Sequence, residues 1–305
     1  MEAKIYKLTF RGPVHFGEGR LWDSSPTCDA ATLFSAFFIE ALDAGREGDL
    51  LEAALNGGLL LSDAFPFVGD ELYLPKPMLA PHAENEIAIE NSGDSRVKKA
   101  FKKLSHVPLS SYRSFCVEDD FDALGELERF DLGAAGLRMH VNLERVDGDA
   151  EPYAVGGYTF EPGAGIYFIV AGGYDVSDLV ERLQYSGIGG RRTSGYGRFA
   201  FEEASCPIEL GNYGDGARVL LSTAAPSADE LNEGLLDGAR YSLVRKGGFA
   251  QTANPEIAGR RKRASLLFKS GSVFHHSFCG DVLDVSCEGS VHPVYRYARA
   301  MWMEV

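Results

Sequence analysis

The feature that most constrains the fold is a change in hydrophobic period near the start of the chain. Apolar and polar residues alternate from Lys4 to Phe10, which predicts a β-strand. After a glycine-rich loop, apolar residues recur every three or four positions, which predicts an amphipathic helix capped by Asp29 and stopped at Gly45. The apolar stripe of this helix comprises Ala30, Leu33, Phe34, Phe37, Phe38, Ala41 and Leu42.

Further segments with strand or helix periodicity complete a βαββαβ order, which is the ferredoxin-like or RRM-like plan. The predicted strands lie at 58–61, 70–74, 166–171 and 198–202, and a second helix at 176–183 stops at Gly187. A similar pattern begins near residue 217, where a strand precedes a capping box formed by Ser227 and Glu230, which predicts a helix through Leu231, Leu235 and Leu236. A later strand is predicted at 294–303. We therefore predict an α+β protein with two tandem ferredoxin-like domains.

The first predicted domain spans residues 1–205 and the second spans residues 206–305. Three prolines between positions 75 and 81 interrupt the regular pattern of the first domain. The residues that follow, 82–150, are polar and charged and contain a basic helix-like run at 96–104. We therefore predict a long insertion in the first domain, at about 75–150.

The composition is that of a soluble globular protein, with 45% hydrophobic and 24% charged residues. No stretch approaches the ~20 consecutive apolar residues that a membrane helix requires, and the first residues lack the apolar core of a signal peptide. The five cysteines are scattered and have no CxxC spacing, which favours reduced thiols over disulfides. We expect a cytoplasmic protein with no membrane partner.

The net charge of −14 argues against a freely diffusing nucleic-acid binder, but the distribution of that charge points to an anionic ligand. Four segments, 96–103, 191–198, 245–246 and 260–269, contain 15 of the 30 Lys and Arg residues in 28 positions, with no Asp or Glu. Such clustering is typical of a polyanion-binding face on an acidic protein. The alternative is that the four segments are unrelated, solvent-exposed faces.

Signatures of common enzyme sites are absent from the sequence, which has no GxxxxGK[ST], GxGxxG, GxSxG or HExxH motif. His275, His276, Cys279 and Cys287 lack the spacing of a known zinc site, so structural roles are favoured over a metal. The paired carboxylates at 119–120 lie in an acidic run without an apolar pocket to raise their pKa. We expect neither a metal nor a cofactor.

The most informative motif is GIGGRRTSGYG at 187–197, between a predicted helix and a predicted strand. Five glycines in eleven residues allow the backbone to approach another chain or a ligand closely, and exposed amides in such loops bind anions. Arg191 and Arg192 add positive charge, and Thr193 and Ser194 add hydroxyl donors. This combination suits a phosphodiester backbone and does not read base edges.

This loop resembles the glycine-rich loop of the RAMP superfamily of RNA-binding CRISPR proteins. Other segments resemble one member of that superfamily, the Csm subunit of type III-A effector complexes that binds the 5′ handle of the crRNA. The segments are YKLTF at 6–10, HFGEG at 15–19, DAATLFSA at 29–36, YLPKP at 73–77 and VKKAFKKL at 97–104. The resemblance covers most of the chain.

The resemblance implies tandem RRM-like domains, no catalysis, and two protein partners, the large polymerase-like Csm subunit and the Csm backbone subunit. It implies that the loop lies along the handle backbone, that the turn at 15–17 lies beside it, and that the insertion around 75–110 acts as a thumb. Phe16 and Tyr196 are candidates to stack on bases. The candidate RNA-binding residues are His15, Phe16, Gly17, Lys98, Lys99, Lys102, Lys103, Gly187, Gly189, Gly190, Arg191, Arg192, Thr193, Ser194, Gly195, Tyr196, Gly197, Arg245, Lys246, Arg260, Arg261 and Arg263.

The main alternative is a RAMP endoribonuclease that acts on crRNA precursor or target RNA. Cleavage by 2′-hydroxyl attack needs a base and an acid, and the candidates are His15, which lies near Arg11 and Arg20, and Asp23. An RNA-binding scaffold is favoured because His15 belongs to a motif that resembles the handle-binding subunit. A small-molecule enzyme is a third alternative, which no site residue supports.

Overall fold

The computed structural model describes residues 3–17, 19–79, 95–117, 121–142, 151–211, 216–231, 234–250, 261–287, 290 and 292–304. One candidate residue, Arg260, lies outside the described residues. Within these ranges no helix is long and apolar enough to span a membrane.

The N-terminal half contains the predicted strands and helices in the predicted order. It begins with β1 (Ala3–Phe10), α1 (Ala30–Asp43), α2 (Glu47–Asn56), β2 (Leu60–Leu61), β3 (Phe65–Val68) and β4 (Glu71–Pro75). The insertion contributes α3 (Ser95–Lys103), β5 (His106–Pro108), α4 (Tyr112–Val117), α5 (Ala123–Arg129), β6 (Gly133–Asn142) and β7 (Glu151–Phe160). The half ends with β8 (Ala164–Ala171), α6 (Ser177–Ser186) and β9 (Phe199–Ser205).

The strand order of the main sheet is that of a ferredoxin-like domain. The sheet runs β5-β4-β3-β8-β1-β9, and β2 also pairs with β8. The four strands β3, β8, β1 and β9 are antiparallel and are joined through α1 and α6, which is the βαββαβ arrangement that the sequence predicts. The register places Tyr6 opposite Phe168 on one side and Glu203 on the other.

Helix α1 forms where the apolar period predicts it, and it packs on one face of this sheet. The side chain of Asp29 caps the helix by accepting a hydrogen bond from the backbone N–H of Thr32 at 2.8 Å. Phe34 and Phe37 are each 1% exposed and lie in the core between the helices and the sheet. The stripe is one position narrower than predicted, because Leu42 is 50% exposed near the end of the helix.

The opposite face of the sheet is covered by the C-terminal half of the chain. Ile5, Tyr167 and Ile169 pack there against Val219 and Met301 in a second core. The sheet face of this ferredoxin-like domain is therefore closed to a ligand. Any binding surface has to lie at the edges of the sheet or between the two halves.

The C-terminal half consists of short antiparallel strands. They are β10 (Arg218–Leu220), β11 (Leu243–Lys246), β12 (Ser265–Phe268), β13 (Val273–Phe274), β14 (Gly280–Asp284), β15 (Tyr295–Arg299) and β16 (Trp302–Glu304). Phe268, Phe274, Phe278 and Trp302 form an aromatic core of their own. The strand predicted at 294–303 is interrupted between Arg299 and Trp302.

The capping box of the second half forms, but no helix follows it in the described residues, so that prediction is wrong. Ser227 Oγ accepts from the Glu230 backbone N–H at 3.3 Å, and the Glu230 carboxylate accepts from Ser227 N–H at 2.9 Å. The same carboxylate also accepts the backbone N–H groups of Cys279 and Gly280. These contacts tie the turn to β14, and turns continue from Gly234 to Gly238.

The described part of the insertion forms several packed elements. Helix α3 buries Ala100, which packs with Leu104 and with Ala123 of α5 in a small separate core. Strands β6 and β7 pair with each other over their whole length as a two-stranded ribbon. The basic run of α3 had a clear sequence signal. In the ribbon, the alternating apolar residues Leu137, Met139 and Val141 of β6 are exposed, whereas residues 155–158 of β7 are buried.

Replacing Phe34 or Phe37 by Ala is expected to lower the free energy of unfolding by about 3–5 kcal/mol, since each substitution leaves a cavity in a closed core. Leu42→Ala is the matched control and should change it by less than about 1 kcal/mol, because this residue is half exposed. Denaturant unfolding followed by circular dichroism measures both. Phenylalanine variants with unchanged midpoints that fail only in complex assembly would show that the stripe faces a partner.

Candidate nucleic-acid interface

The glycine-rich loop adopts a conformation that depends on its glycines. Gly187 ends α6 with a φ of +84°, and Gly195 and Gly197 have φ values of +85° and +74°, where L side chains are strained. Arg191 also has a positive φ, of 60°, the only non-glycine residue of the described ranges that does. Residues Arg192–Ser194 form a single 3₁₀ turn between these left-handed positions.

The loop packs against the turn that follows β1, as expected. The backbone N–H of Gly190 donates to the carbonyl of His15 at 2.8 Å, and that of Gly197 donates to the carbonyl of Pro13 at 3.0 Å. A Cβ on Gly189 would lie 2.8 Å from the His15 carbonyl oxygen, so only glycine permits this approach. Two glycine-rich segments that are remote in sequence therefore form one rigid corner.

A groove of about 1050 Å³ opens beside this corner and runs between the two halves of the chain. Residues 15–17 and Gly189, Gly190 and Arg192 line it from the first domain. Arg245 and Lys246 of β11 line it from the C-terminal half. At another part of its wall lie 75–79 and 105–106, so the start of the predicted thumb segment also borders the groove.

The groove gathers positive charge. Among the described residues that line it are seven Lys or Arg side chains and two carboxylates, Asp29 and Asp63. The cations are Lys76, Arg192, Arg245, Lys246, Lys262, Lys269 and Arg296. On a chain with a net charge of −14, this excess marks the groove as a site for an anionic ligand.

The two carboxylates lie on the groove floor, and each binds groups of the protein itself. Asp29 accepts a salt bridge from Lys246 at 2.8 Å. Burial raises the pKa of Asp29, but the Lys246 ammonium and the hydrogen bonds from Thr32 outweigh this effect and leave it below its ordinary value. Burial disfavours the charged form of Lys246, but the carboxylate of Asp29 favours that form more strongly, so the pKa of Lys246 is raised. Lys246 thus forms a salt bridge within the protein.

Asp63 connects the two halves. Its Oδ1 accepts the backbone N–H of Ala30 at 2.8 Å and that of Thr223 at 2.7 Å, and its Oδ2 accepts the Thr223 hydroxyl at 2.7 Å. Burial, together with the nearby charge of Asp29, raises the pKa of Asp63 to about 6. The carboxylate is satisfied by hydrogen bonds but has no cation of its own.

Two further cations stabilise the groove wall. Arg296 donates to the carbonyls of Arg263 and Gly247 and to the hydroxyl of Ser265, at 2.8–3.1 Å. Lys262 is partly buried, and burial together with the positive charge of Arg296 lowers its pKa. The cations best placed for a ligand are therefore those at the rim, where Arg245 and Lys269 are exposed and Arg192 is half-buried.

Several predicted binding residues lie outside the groove. Arg191 lies over the ring of Tyr153 on β7, 5.4 Å from its centroid, and Arg261 lies over that of Phe249. Arg263 donates to the carbonyl of Asp284 at 2.7 Å. Thr193 and Ser194 are exposed on the turn, and Lys98, Lys99, Lys102 and Lys103 lie on α3. Helix α3 is nevertheless adjacent to the groove, because Lys76 donates to the carbonyl of Phe101.

The expectation that Phe16 and Tyr196 stack on bases is wrong for this structure. Phe16 is 6% exposed and Tyr196 is 2% exposed, and Phe16 belongs to the main core. The ring of Phe16 meets that of Phe10 edge to face at 6.3 Å. Both aromatic residues therefore support the glycine corner from beneath, and the motif could not reveal this because the same residue types serve either role.

Sequence reasoning missed Lys76, Lys269 and Arg296 as groove residues, and it included Lys262 only as part of the basic cluster at 260–263. Lys76 carried a signal, since prolines on both sides fix its backbone, and Lys262 and Lys269 lie in one of the basic segments. Arg296 lies in an otherwise strand-like segment and carried none. Which of these cations contact RNA stays a prediction.

The fold resembles that of chains in CRISPR effector assemblies. A chain in the crystal structure of a Csm1–Csm4 cassette in complex with AMPPNP superimposes with a TM-score of 0.64 at 20% identity, over 100% of this chain and 98% of that chain. A chain of the Csm3–Csm4 subcomplex in the type III-A CRISPR–Cas interference complex gives 0.62 at 15% identity, over 100% and 99%. These matches confirm the predicted α+β fold class.

Comparisons of sequence are more specific. The CRISPR system Cms protein Csm4 of Mycobacterium tuberculosis is 35% identical over 308 residues, which cover 99% of this chain and 98% of that protein. The protein of the same name from Streptococcus thermophilus is 32% identical over 311 residues, which cover 100% and 99%. Residues 215–305 match the family model of the CRISPR Csm4 C-terminal domain. The chain belongs to the Csm4 family.

Asp63→Asn tests the electrostatics of the groove floor. Because the pKa of Asp63 is raised from 3.8 to about 6, the folded wild type binds the proton more tightly than the unfolded chain and loses stability as the pH rises between these values. Asn keeps the Oδ1 acceptor and does not titrate. The stability of the variant relative to wild type should therefore increase by about 2–3 kcal/mol over this range.

Denaturant unfolding of both proteins at a series of pH values measures this difference, and contributions of other groups cancel in it. A difference that is independent of pH would show that Asp63 titrates normally.

Proposed function

We propose that this chain is a non-catalytic RNA-binding subunit of a type III-A CRISPR Csm complex, and that it binds the 5′ handle of the crRNA in the groove between its two halves. Membership of the Csm4 family supports the assignment to a Csm complex. The groove supports the role in RNA binding. We place the complex in the cytoplasm, with which the five free cysteines are compatible.

The observation that carries the proposal is the convergence of segments that are far apart in the sequence. The turn at 15–17, the glycine loop, the strand β11 and the basic segment at 262–269 all line the same groove. The rim cations Arg192, Arg245 and Lys269 come from three of these segments, and we propose that they contact successive phosphate groups. Contacts of this kind hold a strand in register and do not depend on base identity.

The protein partners proposed are the large polymerase-like subunit and the backbone subunit. The structures that this chain resembles are described as a Csm1–Csm4 cassette and a Csm3–Csm4 subcomplex. A subunit that binds the RNA between two such neighbours would link them. The acidic remainder of the surface would then face these proteins or solvent.

The alternative of an endoribonuclease has weaker support. His15 lines the groove, but its ring is 8% exposed and Nδ1 is bound to the carbonyl of Gly156 at 2.8 Å. Asp23 does not line the groove. The acid–base pair that the sequence suggested, His15 with Asp23, therefore does not form in the groove, and cleavage requires such a pair.

Incubation of labelled single-stranded RNA with the full chain, with EDTA present, tests this alternative. We expect the RNA to remain intact with wild type and with His15→Ala and Asp23→Ala. Metal-free cleavage that is lost in either variant would replace the scaffold proposal by the endoribonuclease.

Removal of rim cations should weaken RNA binding in a salt-dependent way. Arg192→Ala and Arg245→Ala should each lower the slope of log K against log salt by about 0.7, because each phosphate contact on a single strand releases about that many counterions. Fluorescence anisotropy at several salt concentrations measures the slope.

Arg182→Ala is the matched control, since Arg182 is an exposed arginine on α6 that does not line the groove. Its slope should equal that of wild type, and Arg191→Ala should behave more like this control than like Arg192→Ala. Equal effects at Arg182 and Arg192 would show that binding follows overall charge and that the groove is not the site.

A further inference from the structure

His15 has a fixed orientation at the edge of the groove. Its Nδ1 lies 2.8 Å from the carbonyl oxygen of Gly156 on β7. A carbonyl oxygen only accepts hydrogen bonds, so Nδ1 must carry the proton that is donated to it. In the neutral ring this leaves Nε2 as an acceptor with a free lone pair.

The Nε2 edge of the ring faces the groove and is flanked by glycines. A Cβ on Gly17 would lie 3.2 Å from Nε2, and a Cβ on Gly190 would lie 2.7 Å from Cδ2 of the same ring. The absence of side chains at these two positions leaves the ring edge uncovered. Within the described part of the chain, Nδ1 of His15 has a hydrogen-bond partner and Nε2 has none.

Because Nε2 of His15 is an acceptor, its ligand must be a hydrogen-bond donor. Phosphate oxygens are acceptors and offer nothing to a neutral Nε2. The neighbouring Arg192 and the rim cations attract the phosphates, so the sugars are the groups that lie between them. Within a ribose of an internal nucleotide the 2′-hydroxyl is the hydrogen-bond donor, and deoxyribose has no counterpart.

We infer that His15 is a specificity-determining residue whose Nε2 accepts a hydrogen bond from one ribose 2′-hydroxyl and so distinguishes RNA from DNA. The inference rests on the proposed function, since it concerns the strand in the same groove. His15 has no chemical step in this role. The glycines at 17 and 190 keep the approach to Nε2 open, and the Gly156 carbonyl sets the tautomer.

The test is a scan of the bound strand at pH 8. RNAs of one sequence each carry a single 2′-fluoro nucleotide, which keeps an RNA-like sugar pucker but cannot donate a hydrogen bond. Binding of each to the full chain is measured by fluorescence anisotropy, beside the unmodified RNA and the DNA of the same sequence. We expect one position at which 2′-fluoro weakens binding about 3- to 10-fold, the range for one hydrogen bond.

Two variants of the protein test whether His15 contacts the nucleotide at which 2′-fluoro weakens binding. His15→Asn can still donate to the Gly156 carbonyl but offers no acceptor at the place of Nε2, and Gly17→Ala covers Nε2 while the imidazole stays. Each should bind the unmodified RNA and the sensitive 2′-fluoro RNA equally. Circular dichroism establishes that the variants fold, and the wild-type scan remains decisive if one of them does not.

The outcomes separate the inference from the function on which it rests. Absence of RNA binding by wild type overturns the proposed function. RNA binding that no single 2′-fluoro nucleotide weakens overturns the role of a 2′-hydroxyl. A sensitive position that persists in His15→Asn assigns the hydroxyl to another residue, and sensitivity that follows base identity when the sequence is changed assigns Nε2 to a base amino group; both overturn the inference.

Discussion

The buried carboxylate of Asp63 joins the two halves of this protein where the groove opens, and the second core between the sheet and the C-terminal half joins them elsewhere. One oxygen accepts the first backbone N–H of α1, at Ala30, and that of Thr223 in the C-terminal half, and the other accepts the Thr223 hydroxyl. Buried backbone donors cost free energy when they are unpaired, so this carboxylate fixes how the halves are oriented. The groove walls, one from each half, take their spacing from that junction.

The junction also decides which charges a ligand meets. Asp29 lies beside Asp63 and binds Lys246, so one predicted RNA-binding lysine belongs to the groove floor and neutralises it. Arg296 donates to carbonyls in the wall formed by the C-terminal strands, and Lys262 lies in the same wall. At the rim Arg245 and Lys269 are exposed and Arg192 is half-buried, and these three cations are the proposed contacts for a polyanion. A chain of net charge −14 can thus present a basic groove without being basic.

The glycine corner supplies a different property, close and rigid contact. Gly189 and Gly190 lie directly against the backbone and ring of His15, and Phe16 and Tyr196 fill the space beneath. The corner therefore places His15 and Arg192 side by side although they are 177 positions apart in the sequence. The same glycines hold the proposed hydrogen-bond acceptor and the proposed phosphate-binding cation in one corner of the fold.

The sequence by itself determined the ferredoxin-like order of the first domain, because the periods of α1, α6 and their strands reflect burial on one face. It also predicted a glycine loop whose backbone approaches another segment closely, which the structure has, since positive φ and close approach require glycine. The tertiary structure alone decided that Lys246 pairs with Asp29, that Arg263 contacts Asp284, that Phe16 and Tyr196 are buried, and that no helix follows Ser227 in the described residues. Local patterns carry the exposure of a segment's face, whereas the partner of a particular side chain depends on residues hundreds of positions away.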